Sequence, residues 1–515
     1  MKLPTFKLIA VCIISLMAMN TFAKKTKKPN VLVIYTDDHR YTGIHALGGQ
    51  AVRTPNIDQL ANTGIVFTNA YLMGAFSGAT CMPSRAMLLS GRQLFTLKGQ
   101  GHTMPKEHIT IGETFKNNGY HTHMVGKWHQ DRESLSRSFD DGQTVMGIGV
   151  YLTDHYRMPL WDWDKTGAFP KKDAYLLEFD ANGNETRRPV AKTDKRGPTG
   201  TEELGPHTSE IFARNAATYI KNYKDKEPFF MYLAFHAPHD PRQAPKKYQD
   251  MYPTDQIQLP PSYLPQHPFD NGALFLRDEE LGPWPRTPQV AREHLAAYYA
   301  IITHLDAQIG KVIQALKESG EYDNTIIILS GDSGLAVGCH GLLGKQNVYD
   351  EDGIHVPFIV SGGATKQSGV RSDALCYIHD IYPTTCDLAG IQAPASVNGL
   401  SLKPVINGEV AQVRDHTYHA YRQHQRAYRK GDFKLIEFVK ANDYHKKKGE
   451  FVAGSRVTLL FNTANDPWET TNLAFLPQYH ETLKTMQAEM QAEAIKLGDN
   501  TQSTGEKYNF WDYYN

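Results

Sequence analysis

Asn30-Val31-Leu32-Val33-Ile34-Tyr35-Thr36-Asp37-Asp38-His39 is the stretch that decides the fold. A short, nearly continuous apolar run of this kind reads as a strand buried on both faces, which is the habit of parallel sheets. It stops abruptly on two aspartates and a histidine. The pattern recurs: Phe229–Phe235 runs into His236-Ala237-Pro238-His239, and Thr325–Ser330 runs into Gly331-Asp332-Ser333. Val356–Val360 is expected as a fourth strand of the same kind. Helical patterns lie between. The clearest spans Arg292 to Glu318, with an apolar stripe of Leu295, Tyr298, Ile302, Leu305, Ile309, Val312, Ile313 and Leu316 and a C-cap glycine at Gly320. Strands alternating with helices imply an α/β fold: a large, mixed, mostly parallel central sheet flanked by helices. In such sheets the residues just past the strand C-termini gather in one crevice.

The chain has 515 residues, enough for a large domain and a smaller one. The large α/β domain is expected over 24–395. Beyond it, Thr417–Tyr421, Phe433–Val439 and Val457–Phe461 read as shorter strands, followed by a helix from Tyr479 to Lys496. These make a smaller C-terminal α+β domain with an antiparallel sheet over 396–515. Asp154–Pro206, rich in Asp, Lys, Gly and Pro, reads as a long insertion that partly faces substrate.

Lys+Arg and Asp+Glu are both 55, so there is no basic surplus and no nucleic-acid partner is expected. Any anion selectivity must be local. Residues 1–23 read as a signal peptide: Lys2 and Lys7 precede an apolar Leu8–Met19 segment and a small-residue site at Thr21-Phe22-Ala23. The rival reading of this segment is an uncleaved membrane anchor. With cleavage, the mature protein is expected to be periplasmic or secreted, with no stable membrane insertion. Four cysteines remain after cleavage: Cys81, Cys339, Cys376 and Cys386. No regular disulfide framework is implied, although one bridge could form.

Several polar clusters each admit two readings. Asp37-Asp38 is either a turn with a helix cap or a pair of hard oxygen ligands for a divalent cation. Cys81-Met82-Pro83-Ser84-Arg85 opens a helix that continues through Leu89. Its cysteine is either a small buried residue or a reactive one at a helix N-terminus. Gly126-Lys127-Trp128-His129 follows a strand at His121–Val125 and is otherwise an ordinary basic turn.

Taken together and in order, these motifs resemble the type I, formylglycine-dependent sulfatases of the alkaline-phosphatase-like superfamily. The resemblance runs from Pro29 to about Ala474. It includes Asp332, the Gly341–Asn347 motif around Lys345, and late landmarks at Arg429–Ile436 and Asp466–Thr470. It implies that a maturation enzyme oxidises Cys81 to formylglycine, whose hydrate supplies the nucleophilic oxygen. It implies Asp37, Asp38, modified Cys81 and Asp332 as ligands of one Ca2+, with Mg2+ as the alternative. Most relatives carry asparagine or histidine after the last aspartate; this chain has Ser333, which leaves the fourth protein ligand open. By the same resemblance Arg85 helps hold the nucleophile ionised, and Lys127, His239 and Lys345 contact the sulfate. His239 or Lys345 protonates the leaving oxygen, and His129 takes the proton that drives sulfate out.

The expected substrate is a sulfated polysaccharide or its oligosaccharides. Arg40, His155, Arg157, Arg242, Arg422, His424 and Arg426 are candidates for reading the sugar, with His155, Arg242 and Arg426 placed in the substrate site. Two other classes stand beside this one: a phosphate or phosphonate ester hydrolase of the same superfamily, and a catalytically silent glycan-binding relative.

Overall fold

The computed structural model describes residues 27–499, apart from 153, 196–203, 366–367, 442 and 446–449, together with 509–514. The signal-peptide reading of residues 1–23 therefore lies outside the described residues. Among the described residues, no helix is long and apolar enough to cross a membrane.

An eight-stranded sheet forms the centre. Its order is Val370–Tyr377, Ile65–Tyr71, Phe358–Ser361, Thr325–Gly331, Asn30–Thr36, Phe229–Ala234, His121–Lys127 and Asp141–Met146. Asn30–Thr36 is central and fully buried, and it pairs in parallel with both neighbours. Successive side chains alternate between faces. Val31, Val33 and Tyr35 enter one core, with Met87, Leu88 and Leu89 of the Cys81–Ser90 helix. Leu32 and Ile34 enter the other, with the long helix Pro288–Glu318. All eight residues of that helix's expected apolar stripe are buried in this second core. Each such burial contributes about 1.5–3 kcal/mol. The helix begins four residues earlier than the sequence pattern suggests, because Pro288 occupies its first turn and the Thr287 hydroxyl accepts the Val290 N–H.

Phe358–Ser361 departs from expectation. It is antiparallel to both its neighbours rather than parallel. A parallel return needs a crossover, usually helical. The 332–357 connection instead stays at the strand C-terminal edge, where it carries Ser333 and Lys345, and re-enters the sheet through a short turn of helix at Asp350–Ile354. Three sheet members, Ile65–Tyr71, Asp141–Met146 and Val370–Tyr377, had no expectation attached.

A second, five-stranded sheet runs Ser455–Asn462, Phe433–Lys440, Gln425–Lys430, His416–Tyr421, Gly74–Ala75. Its first four strands are antiparallel. The last, Gly74–Ala75, is parallel and comes from the N-terminal region, so residues beyond 395 do not complete this sheet alone. Gly74 has φ 128°, and a Cβ there would lie 1.8 Å from the Ala420 carbonyl oxygen, so only glycine fits. This join ties the small sheet to the chain seven residues before Cys81.

Asp154–Pro206 contains an antiparallel hairpin of Tyr175–Phe179 and Glu185–Pro189. It packs on the edge strand through bridges Val145–Trp161 and Leu160–Tyr175. The four cysteines are free thiols, all buried.

Candidate active site

Four adjacent parallel strands deliver polar residues to one edge. Thr36 lies beside Gly331, Tyr35 beside Ala234, and Ala234 beside Gly126. One or two residues further along, Asp332, Asp37, His236 and Lys127 emerge together. The ladder continues past the strands: the Asp332 N–H donates to the Thr36 carbonyl at 3.0 Å, and the Asp37 N–H to the Ala237 carbonyl at 3.2 Å. Asp38 and His129 both adopt φ 61°. Non-glycine residues seldom hold this left-handed region, at a cost of roughly 1–2 kcal/mol each. Surrounding contacts hold Asp38 there: its N–H donates to Asp332 Oδ1 at 2.9 Å, and the Tyr298 hydroxyl donates to its carbonyl at 2.6 Å.

Cys81 is the first residue of its helix, and Pro83 falls in the opening turn, where a missing N–H costs no hydrogen bond. One donor atom from each of Asp37, Asp38, Cys81 and His239 lies within 4.8 Å of the others. Lys345 Nζ is 3.3 Å from Cys81 Sγ and is ion-paired with Asp38 Oδ1. Lys127 Nζ is ion-paired with Asp37 Oδ2. Arg85 NH2 reaches Asp37 Oδ2 at 3.3 Å and Asp332 Oδ2 at 3.1 Å. Every one of these groups is buried.

The charges strain against this burial. Burial would raise Asp37, but Lys127, His239 and Arg85 hold it well below the usual carboxylate range. Burial and the neighbouring Asp37 push both Asp38 and Asp332 up to about 7. Asp37 Oδ1 is buried with no hydrogen-bond partner. Carboxylates that resist ionisation, beside an orphaned carboxylate oxygen, fit a site built for a divalent cation with hard oxygen ligands. The Ser333 hydroxyl, 3.2 Å from Asp38 Oδ1, adds a neutral oxygen to this set. Burial pushes the Cys81 thiol up to about 12 even with Lys345 alongside, so as a cysteine it is a poor nucleophile at neutral pH.

Burial pushes His129 and His239 towards the neutral form. Burial, Lys127 and Arg85 depress His129, whose Nδ1 is buried without a hydrogen-bond partner. Burial lowers His239 to about 4. Its Nδ1–H donates to the Asp240 carbonyl at 2.6 Å, leaving Nε2 facing the cluster as an acceptor.

These groups open on a cleft of about 400 Å3 lined by Cys81, His129, His239 and Lys345 together with Gly78, Ala79, Tyr151, Leu276, Arg277, Asp278 and Gln346. The sequence reading missed Tyr151, Arg277, Asp278 and Gln346. No motif marks Tyr151, Arg277 or Asp278, which come from irregular chain, and Gln346 follows the lysine for which its motif was read. His236, just past the end of its strand, also joins the cluster: its Nδ1 lies 3.5 Å from Asp37 Oδ2. Among the described residues, those of the insertion at 154–206 supply none of the cleft lining; the 276–278 segment does.

Two of the expected sugar contacts are corrected by burial. The Arg426 guanidinium is enclosed and paired with Asp499 at 2.5 and 2.8 Å, so it has no face to offer a substrate. His155 is enclosed between the Thr208 hydroxyl and the His239 carbonyl, at 2.9 Å from each, so it supports the His239 turn from behind. Arg242 sits in an adjoining hollow, 2.7 Å from His294. Arg40 is buried against Tyr298 and Tyr299, and Arg157 pairs with Asp194.

The sulfatase family profile matches residues 29–391, and a profile for the N-sulphoglucosamine sulphohydrolase C-terminal region matches 338–496. An ulvan-active sulfatase from Formosa agariphila is 26% identical over 499 residues, covering 94% of this chain and 85% of the relative. An N-acetylglucosamine-6-O-sulfatase from Bacteroides thetaiotaomicron is also 26% identical, covering 97% of this chain and 91% of its own. A solved structure in complex with its substrate D-glucosamine-2-N,6-O-disulfate superimposes with a TM-score of 0.69 at 22% identity, covering 94% of this chain and all of the other. Cys81 at its helix N-terminus, the acid pair past the first strand and a profile match over most of the chain agree: this chain belongs to the sulfatase family, the sulfuric ester hydrolases of alkaline-phosphatase-like fold.

Proposed function

We propose that the protein is an exported, formylglycine-dependent sulfatase that removes sulfate from a polysaccharide or its oligosaccharides. The observation that carries this reading is the seat of Cys81: at a helix N-terminus, within 4.8 Å of Asp37, Asp38 and His239, 3.3 Å from Lys345, and open to the cleft. Relatives named for ulvan and for N-acetylglucosamine 6-O-sulfate support a carbohydrate substrate.

Asp37, Asp38 and Asp332, with the Ser333 hydroxyl beside them, would hold the cation, calcium before magnesium. The cation would supply positive charge for the sulfate oxygens. Formylglycine, made from Cys81 by a maturation enzyme, would supply a hydrated aldehyde whose oxygen attacks sulfur. The remaining work falls to the chain's own residues. Lys127 and Lys345 present fixed positive charge to the sulfate, so stabilisation needs no rearrangement as charge builds. Arg85 locks Asp37 and Asp332 in place. His239 accepts or positions through Nε2. Lys345, kept protonated by Asp38, can donate a proton to the leaving alkoxide. His129, neutral and with Nδ1 free, takes the proton whose removal releases sulfate.

The test is desulfation of a panel of sulfated glycans of defined linkage by matured protein, with aryl sulfate, phosphate and phosphonate esters alongside. Faster hydrolysis of the phosphate or phosphonate esters would replace this reading with the related hydrolase. An unconverted Cys81 in protein from the native host, with no turnover, would favour a silent glycan-binding protein.

A further inference from the structure

Beside the cleft lies a second hollow, of about 250 Å3, with Arg242, Glu293 and His294 as polar lining and Pro241, Leu281 and Ala297 as apolar lining. The two cavities share a wall. His239 and Arg277 line the cleft; Asp240, next in the chain after His239, lines the hollow. Arg277 donates to both Asp240 oxygens, at 2.8 and 2.6 Å, so that carboxylate already has its counter-ion. Arg242 has none. Among the described residues its hydrogen-bond partner is His294, with NH1 2.7 Å from Nδ1, and no aspartate or glutamate lies within ion-pair distance of it. A guanidinium carries only donors, so the imidazole nitrogen accepts. Burial, Arg242 and Arg286 push His294 down to about 3, so it brings no charge of its own. Arg242 Nε is buried with no hydrogen-bond partner. Glu293 stands exposed at the rim, where Gln289 donates to it at 2.8 Å. Water and salt screen a charge in that position.

A half-buried guanidinium whose partner is neutral bears a desolvation cost with no matching ion to offset it. An anion from solution supplies the match. Charge-assisted N–H···O bonds are about twice as strong as neutral ones, so a carboxylate or sulfate gains more here than a hydroxyl does. Pro241, Leu281 and Ala297 offer apolar area to the C–H face of the ring that carries it. Only the Asp240–Arg277 pair separates hollow from cleft, so a ring seated here is the neighbour of the sugar that bears the reacting ester. We propose that the hollow is a subsite for a second anionic group, a carboxylate or a sulfate on the sugar adjoining the one that loses its ester, with Arg242 as the residue that binds it. This rests on the sulfatase reading of the adjacent cleft.

The experiment measures kcat/KM of the matured protein on sulfated disaccharides that share the reacting ester and differ on the neighbouring ring, which carries a carboxylate, a second sulfate or hydroxyls alone. An aryl sulfate serves as the control for the reacting centre. At least one anionic disaccharide is expected to exceed the neutral one by about tenfold or more, and the larger ratio names the group the hollow takes. The excess should shrink as salt is raised. Arg242→Gln should lower the ratio by about tenfold, through KM. Both rates come from the same protein, so a loss of folded fraction cancels. Arg242→Lys, which keeps the charge, should retain part of the preference. Glu293→Gln, which removes a like charge at the rim, should raise it. Aryl sulfate hydrolysis with no preference for either anionic disaccharide overturns the subsite and leaves the sulfatase reading standing; so does a preference that Arg242→Gln leaves unchanged. No hydrolysis of any sulfate ester by protein whose Cys81 is shown by mass to be converted overturns the sulfatase reading and this inference with it.

Discussion

The Glu279 carboxylate accepts the backbone N–H of Gly344 at 2.8 Å and that of Leu343 at 3.0 Å, and so grips the two peptides that precede Lys345. Arg286, itself buried, holds the other side of Glu279 at 2.9 Å. Glu279 touches no reacting atom; it sets where Lys345 stands. Glu279→Ala is therefore expected to lower kcat by about a hundredfold, the usual effect of an ångström-scale misplacement. Glu279→Gln, which keeps one acceptor oxygen, should lose less. Steady-state kinetics of both variants at equal folded fraction, checked by circular dichroism, decide the matter; equal rates for wild type and Glu279→Ala would remove the positioning role.

Cys81→Ser should abolish turnover while leaving the fold intact. A serine ester of sulfate has no second hydroxyl through which to expel the anion, so a covalent sulfated protein is expected to accumulate. Intact-mass measurement after incubation with substrate reads this directly. A serine variant that turns over at the parent rate would rule out release by elimination.

Chelation should lower both activity and thermal stability. Asp38 and Asp332, both held up to about 7 by burial and by Asp37, lose a compensating charge when the cation goes. Restoring an ion at a hundred times its Kd stabilises by about 2.7 kcal/mol. Thermal melts after chelation, with calcium or magnesium added back, should show the larger recovery with calcium.

Arg426 serves the fold, not the sugar. Replacing it with methionine leaves Asp499 buried without its partner, which costs about 3–5 kcal/mol. Denaturant unfolding should show that loss, whereas KM of the remaining folded protein should stay at the parent value. A raised KM with unchanged stability would restore Arg426 to the substrate site.

Asp380 makes the protein sensitive to acid. Its carboxylate is fully buried, accepts the Tyr377 and Leu400 N–H groups at 2.7 Å each, and pairs with Arg414 at 2.5 and 2.9 Å. Burial opposes its ionisation, but Arg414, His379 and these N–H groups hold it below the ordinary carboxylate value. A depressed folded pKa gives stability that is present above the unfolded value of about 4 and lost as pH falls below it. Unfolding free energy measured downward from pH 5 should fall less steeply in Asp380→Asn than in the parent, from a lower starting level. Parallel slopes would show that other carboxylates govern the acid limb.

Much of this was written in the sequence because it is local. Apolar runs ending on Asp37, His236 and Asp332 fix buried strands and their polar tips, since the alternation and length of such runs leave few other conformations. The Pro288–Glu318 stripe fixes its buried face in the same way. Cys81 through Arg85 marks the reactive helix end. The rest depended on how distant segments meet. The reversal of Phe358–Ser361 follows from a connection that never crosses the sheet. The parallel strand Gly74–Ala75 follows from a glycine-only approach to Ala420. Burial turned Arg426 and His155 from expected sugar contacts into supports. Only the assembled chain brings Arg277 and Asp278 over Cys81, because their position depends on the Asp240 and Gln346 side chains, 37 and 68 residues away in sequence, that anchor them. Short-range order fixed the strands and the chemistry at their ends; long-range packing and charge pairing decided which polar groups are free to meet a substrate.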